Sequence, residues 1–431
     1  MDIILLPMGS AGDVHPFVAI GLELKARGHA VTVRTSAYFE ALFRRVGLDF
    51  DPVGTVEDFE ESIRHPHIWH PTKSIPVIFD KLFLKPMRPT YDYLKARYRP
   101  GETVAVAPPN ALGARVAREA LGIPLATLVL QPTALRSAHE MPVLPNGGHL
   151  IARLPSWAIR LVYRALDAGL ADRRLAPSVN AFRAELGLET SARRLMDRWW
   201  YSPDAAIALY PEWFAPRQPD FPAQLTYAGF TMYDEADISP IDPTLSAFLD
   251  AGPPPIAFVP GSANVHAGTF FQAAVDACTR LGRRAILLTR FAEQVPAGLP
   301  TTTLHVPYAP FSRVLPRCAA LVHHGGIGTS AQALAAGIPQ LVMPMAYDQF
   351  DSAARLGRLG VGLTLPVGRF RGPALAMSLD RLLTSKDVAT RAREVAGRMA
   401  DNRAVGRAAD AILAVASQPA DAITASAASR A

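Results

Sequence analysis

His323-His324-Gly325-Gly326-Ile327-Gly328-Thr329-Ser330 follows the apolar run Ala320-Leu321-Val322 and leads into an alanine-rich stretch that ends at Gly337. A short buried strand, a glycine-rich turn and a helix in that order make a βα unit. Its three glycines let the backbone approach a ligand closely, and the helix start offers free N–H groups and partial positive charge to a phosphate. His323 or His324 can add a donor, and Thr329 a hydroxyl. Adjacent side chains leave a strand end in different directions, so one of the two histidines is expected to serve the site. The bland alternative is a tight turn with incidental histidines. No P-loop lysine accompanies the glycines, which disfavours an ATPase.

Working outward, strands are expected at 256–259, 284–289, 320–323 and 340–343, with helices at 269–281 and 330–336. The N-terminal half carries its own series. A buried strand at 3–7, a turn at 9–13, a helix over 14–27 ended by Gly28 and a β-branched strand at 30–35 form a βαβ opening. Residues 103–107, 125–129 and 205–209 read as further strands of that sheet. Prolines and aromatics crowd 214–243, between the two series. The expected fold class is therefore α/β, with two doubly wound, Rossmann-like domains facing a cleft. The boundaries fall at 1–213, a proline-rich linker at 214–243, a second domain at 244–390, a last helix at 391–415 and a disordered tail at 416–431.

Gly9-Ser10-Ala11-Gly12-Asp13-Val14-His15-Pro16 follows the first strand. It lacks GxGxxG, and the strand at 30–35 ends without the acid that would hold a ribose, so a nicotinamide enzyme is disfavoured. Asp13 reads either as an N-cap or as a carboxylate at a strand end, placed to act as general base. Asp348-Gln349-Phe350-Asp351 reads either as a capping box or as an acid–amide pair gripping sugar hydroxyls. The glycine-rich loop one strand earlier favours the second. Asp49-Phe50-Asp51 fits the two-carboxylate pattern that one class of sugar transferases uses for metal. Its neighbours Leu48, Phe50 and Val53 favour a short strand edge instead. Trp199-Trp200-Tyr201 reads as a core cluster rather than an aromatic platform. Residues 151–174 alternate apolar residues with arginines; a solvated amphipathic helix is the simplest reading, and a lid or membrane-contacting segment the other.

Composition narrows the class. Of 431 residues 49% are hydrophobic and 19% charged, enough to build sizeable cores and to exclude a disordered chain. No apolar run reaches the roughly 18 residues of a membrane span, and the run at 3–8, with no basic leader, is not expected to be a signal peptide. The net charge of +6 is spread along the sequence and singles out no partner. Cys278 and Cys318 stand alone, without a disulfide framework or a cysteine-built zinc site. A cytoplasmic protein that binds no nucleic acid is expected, with contact at the inner membrane face as a further possibility.

In their order, the Gly9–Pro16 turn, the His323–Thr329 loop and Asp348-Gln349 resemble the family-1, UDP-glycosyltransferase-like glycosyltransferases of GT-B fold. Within that family the sequence from Met1 to about Leu413 is similar to the bacterial rhamnosyltransferases that build rhamnolipids. Gly187-Leu188-Glu189-Thr190, Trp213-Phe214-Ala215-Pro216 and Ala346-Tyr347-Asp348-Gln349-Phe350-Asp351 carry that likeness. The resemblance implies that the first domain holds the acceptor and the second the nucleotide-sugar, with the last helix returning to the first domain. It implies that His323 and the backbone of Gly325, Gly326, Gly328 and Thr329 meet the diphosphate, with Ser262 nearby. It places Tyr308 against the base, Asp348 and Gln349 on the sugar, and Asp13 as catalytic base. Phe311 and Gln332 depart from the plant pattern, which leaves UDP and dTDP donors both open. The expected activity is inverting, metal-independent transfer to a hydroxyl of a small hydrophobic acceptor, a hydroxyacyl lipid first and a sterol, flavonoid or polyketide next. A nucleotide-sugar epimerase or hydrolase is the alternative. The nucleotide-sugar is a substrate, and no cofactor or metal is expected.

Overall fold

The computed structural model describes residues 1–144, 151, 153–400 and 403–416. The tail expected to be disordered lies outside them, apart from its first residue. The chain divides into two compact units. One comprises Met1–Gly9, Asp13–Thr231 and the residues from Arg403 onward; the other comprises Ser10–Gly12 and Met232–Asn402.

In the first unit, β1 (Asp2–Leu5), β2 (Ala30–Ser36), β3 (Asp49–Val53), β4 (Thr103–Ala107), β5 (Leu125–Val129), β6 (Ala205–Ala208) and β7 (Leu225–Tyr227) form one sheet in the order β3-β2-β1-β4-β5-β6-β7. Every pairing is parallel. In the second unit, β8 (Ile256–Val259), β9 (Ala285–Leu288), β10 (Thr303–Val306), β11 (Ala320–His323), β12 (Gln340–Val342) and β13 (Gly362–Thr364) are ordered β10-β9-β8-β11-β12-β13, again all parallel. Both orders reverse once, at β1/β4 and at β8/β11. Open α/β sheets bind ligands beyond the carboxyl ends of the strands at such a reversal. The turns after β1, β8 and β11 are therefore the places to look.

Helices cover both faces of these sheets, which is why the strands read as unbroken apolar runs. In β8, Ile256 and Phe258 point into one core with Phe271 and Leu379, while Ala257 and Val259 point into another with Leu249 and Val314. Trp199, Trp200 and Tyr201 are buried in the first unit, where Trp199 Nε1 donates to Glu119 Oε1 at 3.0 Å. They are core.

Two boundaries differ from expectation. The proline-rich stretch 214–243 contains β7, the last strand of the first sheet, and the units divide at Thr231/Met232. Where one helix was expected over 391–415 there are two, Lys386–Met399 in the second unit and Ala404–Ala416 in the first. The latter packs on β4, β5 and β6, and Arg407 Nε donates to the Ala228 carbonyl at 2.7 Å. Among the described residues no helix is long and apolar enough to cross a membrane.

Candidate active site

The turn after β11 is built on His323. Its ring is fully buried, and the Gly325 N–H donates to Nδ1 at 3.1 Å. Because Nδ1 accepts, the proton sits on Nε2, which donates to Gln340 Oε1 on β12 at 3.0 Å. Burial, with a smaller push from His324, lowers the ring's pKa to about 3, so it is neutral. Gln340 Nε2 reaches the Ser330 carbonyl at 3.4 Å, and Ser330 Oγ donates to the Gly326 carbonyl at 3.0 Å. This corrects the expectation that the His323 ring meets a diphosphate: both its nitrogens are spent inside the protein. His323 positions the glycine turn. The ring of His324 stands nearly perpendicular to it, at 89°, and packs where a side chain on Gly261 or Gly326 would fall. Burial lowers the pKa of His324 to about 4, and among the described residues its Nδ1 has no hydrogen-bond partner.

Gly325 has φ +100, and a Cβ there would meet Val342 Cγ1 at 2.9 Å and the Gln349 carbonyl at 3.0 Å. No other residue fits. Gly326 opens helix Ile327–Ala336 without a side-chain cap, so the first N–H groups of that helix are left for something else to satisfy. Gly328 is exposed there and Thr329 half-buried.

The loop after β12 carries the next pair. Gln349 is buried, and its Oε1 accepts the N–H groups of Met345 (2.7 Å) and Ala346 (3.1 Å). Its oxygen shapes the loop, so it is not open to a sugar hydroxyl as expected. Asp348 starts helix Gln349–Arg358 but makes no cap bond, and Asp351 pairs with Arg355 at 2.7 Å. The capping-box alternative is therefore not what forms. Asp348 itself is half-buried. Tyr347, exposed beside it, has φ +57, the kind of strain that clusters at functional loops.

Ser262 is exposed in the turn after β8. That turn is pinned by Asn264, whose Oδ1 accepts the His266 N–H at 3.0 Å and whose carbonyl accepts Gln294 Nε2 at 2.8 Å. Tyr308 follows β10, at the far edge of the sheet. Its hydroxyl donates to the Asp234 carbonyl at 2.8 Å, and the Arg290 guanidinium lies 5.1 Å from its ring centre. Burial raises its pKa. Within the second unit, the turns after β8, β11 and β12 thus come together at the reversal, and Tyr308 stands two strands away.

Asp13 belongs to the first unit, after β1 at the other reversal. Helix Ala11–Ala26 begins two residues before it, so Asp13 lies within the first turn and is not the N-cap. A Cβ on Gly9, whose φ is +130, would fall 2.3 Å from Asp13 Oδ2. Glycine at position 9 leaves the room that the carboxylate occupies. Asp51 is committed elsewhere: Tyr93 donates to its Oδ2 at 2.7 Å and Arg97 at 2.9 Å.

Sequence reasoning missed Gln340, Ser330 and Asn264. A glutamine opening the otherwise apolar strand Gln340-Leu341-Val342 was the available signal, since a buried amide demands partners.

Comparison with known proteins fits this architecture. Residues 3–139 match the glycosyltransferase family 28 N-terminal domain, and residues 276–412 the C-terminal domain described as erythromycin biosynthesis protein CIII-like. The O-mycaminosyltylonolide 6-deoxyallosyltransferase of Streptomyces fradiae is 32% identical over 414 residues, 95% of this chain and 96% of that protein. An uncharacterized glycosyltransferase of Mycobacterium tuberculosis is 30% identical over 93% of this chain and 95% of its own. Among solved structures, the glycotransferase of kitacinnamycin superposes with a TM-score of 0.73 at 22% identity, covering 96% of this chain and 98% of that one. The glycosyltransferase VinC, solved with dTDP, gives 0.65 at 18% identity over 96% and 99%. Two parallel Rossmann-like sheets with these relatives define a glycosyltransferase of GT-B fold. The protein belongs to the glycosyltransferase family that joins a family 28 N-terminal domain to an EryCIII-like C-terminal domain.

Proposed function

We propose that this enzyme transfers a hexose or deoxyhexose from a nucleoside diphosphate sugar to a hydroxyl of a hydrophobic natural product, with inversion and without a metal. The observation that carries the reading is the uncapped start of helix Ile327–Ala336 behind a glycine turn at the sheet reversal. N–H groups and the helix dipole there suit a leaving diphosphate, where the largest charge develops in the transition state. From Leu321 to Met343 the sequence has no Asp or Glu to hold an ion. The acceptor oxygen attacks the anomeric carbon as its proton passes to Asp13, and the bond to the diphosphate breaks on the opposite side. Asp348 and the exposed Ser262 are assigned to the donor, with Tyr308 toward its base.

A thymidine donor is favoured over uridine because related folds were solved with thymidine diphosphate. A natural-product acceptor comes ahead of a hydroxyacyl lipid because the Streptomyces fradiae relative is named for O-mycaminosyltylonolide, and two solved structures of the same fold are named as a spinosyn forosaminyltransferase and a spinosyn rhamnosyltransferase. We place the enzyme in the cytoplasm. A mass-spectrometric screen of dTDP- and UDP-sugars against polyketide, phenolic and hydroxy-lipid acceptors tests the proposal. Sugar found only on lipids would restore the lipid reading, and donor consumed with no acceptor glycosylated would replace transfer by hydrolysis or epimerisation.

A further inference from the structure

Helix Ser156–Leu166 has an apolar face too many. Its inner face is served: Ile159 is buried against Ala138 and Met141, with Tyr163 beside it. Trp157 and Leu161, on the opposite side, are 65% and 53% exposed. Residues 157, 160, 161 and 164 fall within about 100° of one another around a helix of 3.6 residues per turn, so Arg160 and Arg164 share that outer strip. Leu154 just before the helix and Leu170 just after it are each 43% exposed.

The charges on the outer strip of the helix are of one sign, and the nearby Arg174 pairs with Asp80. Arg153, Arg160, Arg164 and Arg173 are exposed, and among the described residues none pairs with an acid. Asp167, the acid that follows the helix, is buried and held by Arg136. A protein interface has an apolar centre and a separate polar rim. Here arginines alternate with tryptophan and leucine along a single strip. Their aliphatic stems can lie among acyl chains while the guanidinium groups reach up to phosphates, and tryptophan favours the same boundary depth.

We propose that this face docks the enzyme on an anionic lipid surface. The pattern matches the chemistry of a phosphatidylglycerol bilayer: negative headgroups for the arginines and an acyl boundary for Trp157 and Leu161. The inference is independent of which acceptor the enzyme glycosylates.

The test is co-sedimentation of the full chain with vesicles of phosphatidylglycerol mixed with phosphatidylcholine, against vesicles of phosphatidylcholine alone. Binding is expected only to the first and should fall as salt is raised. Trp157→Ser with Leu161→Ser, and separately Arg160→Gln with Arg164→Gln, should each weaken it by about tenfold or more. Transfer to a water-soluble acceptor should be unchanged in both. Absence of binding by the unmodified enzyme, equal binding to the two kinds of vesicle, or full binding by the arginine pair variant would overturn the proposal. So would a wild-type dimer that ignores lipid and becomes monomeric in the Trp157/Leu161 variant, since the face would then be a contact between copies. The arginine variant alters only exposed side chains, so the test stands even where the apolar pair variant fails to fold.

Discussion

Asp13 and His323 both read from sequence as site residues, and their surroundings in the structure differ. Asp13 stands in the first turn of the helix after β1, beside a glycine that makes room for its carboxylate. Asp13→Asn should preserve the shape and donor affinity while lowering turnover by roughly 10² to 10⁴, the usual contribution of a general base; steady-state kinetics beside calorimetry of dTDP binding checks this. His323 holds a turn, so it should behave like its partner. His323→Ala and Gln340→Ala should each destabilise the fold by about 1–3 kcal/mol through the buried groups they strand, and should weaken dTDP binding to similar extents. A large loss of affinity in His323→Ala with none in Gln340→Ala would mean that the ring touches the ligand after all. Acid should expose both histidines. Their pKa values are held near 3 and 4, below the ordinary 6.5, so the unfolded state binds more protons between those values. Their contribution is complete above about pH 6.5 and is lost as the pH falls toward 4. Melting temperatures measured across that range should decline, and less steeply in His323→Gln.

At the scale of elements, the strands around the glycine loop were legible because long apolar runs with turn residues at their ends leave few alternatives. The strands β4, β5, β8 and β11 lie where the sequence put them. β7, β10 and β13 did not declare themselves. They are three or four residues long, lie at the sheet edges and are only partly buried, so neither an apolar run nor strict alternation marks them. The helix after β1 was read as starting at Val14 because Gly9–Asp13 looked like a turn, and the observed helix begins at Ala11 and takes in Gly12 and Asp13. The site was half legible. Residue types and their places on the turns could be read, but which side chains are spent on holding the turns could not, because that depends on partners such as Gln340, 17 residues from His323. The helix start at Ile327 gives a prediction that separates ligand from fold. Nothing lies within 4 Å of a Cβ added at Gly328, so Gly328→Ala should leave stability unchanged or raise it by up to about 1 kcal/mol. It should nonetheless lower dTDP affinity by crowding the diphosphate. Unchanged affinity would remove the phosphate from this helix start.

For the whole molecule, each of the two units contributes one sheet reversal and one set of turns. The proton acceptor is assigned to the first and the leaving-group site to the second. Such a division of labour suits an enzyme whose acceptor varies while its donor chemistry is fixed. The most direct test is release of nucleoside diphosphate from a dTDP-sugar by the full chain in EDTA, followed with and without a hydroxyl acceptor that the screen has identified. Release that needs the acceptor, matches the glycoside formed and proceeds undiminished in the chelator is the predicted result. Release at the same rate without acceptor, or activity that vanishes in EDTA and returns with Mg²⁺, would contradict it.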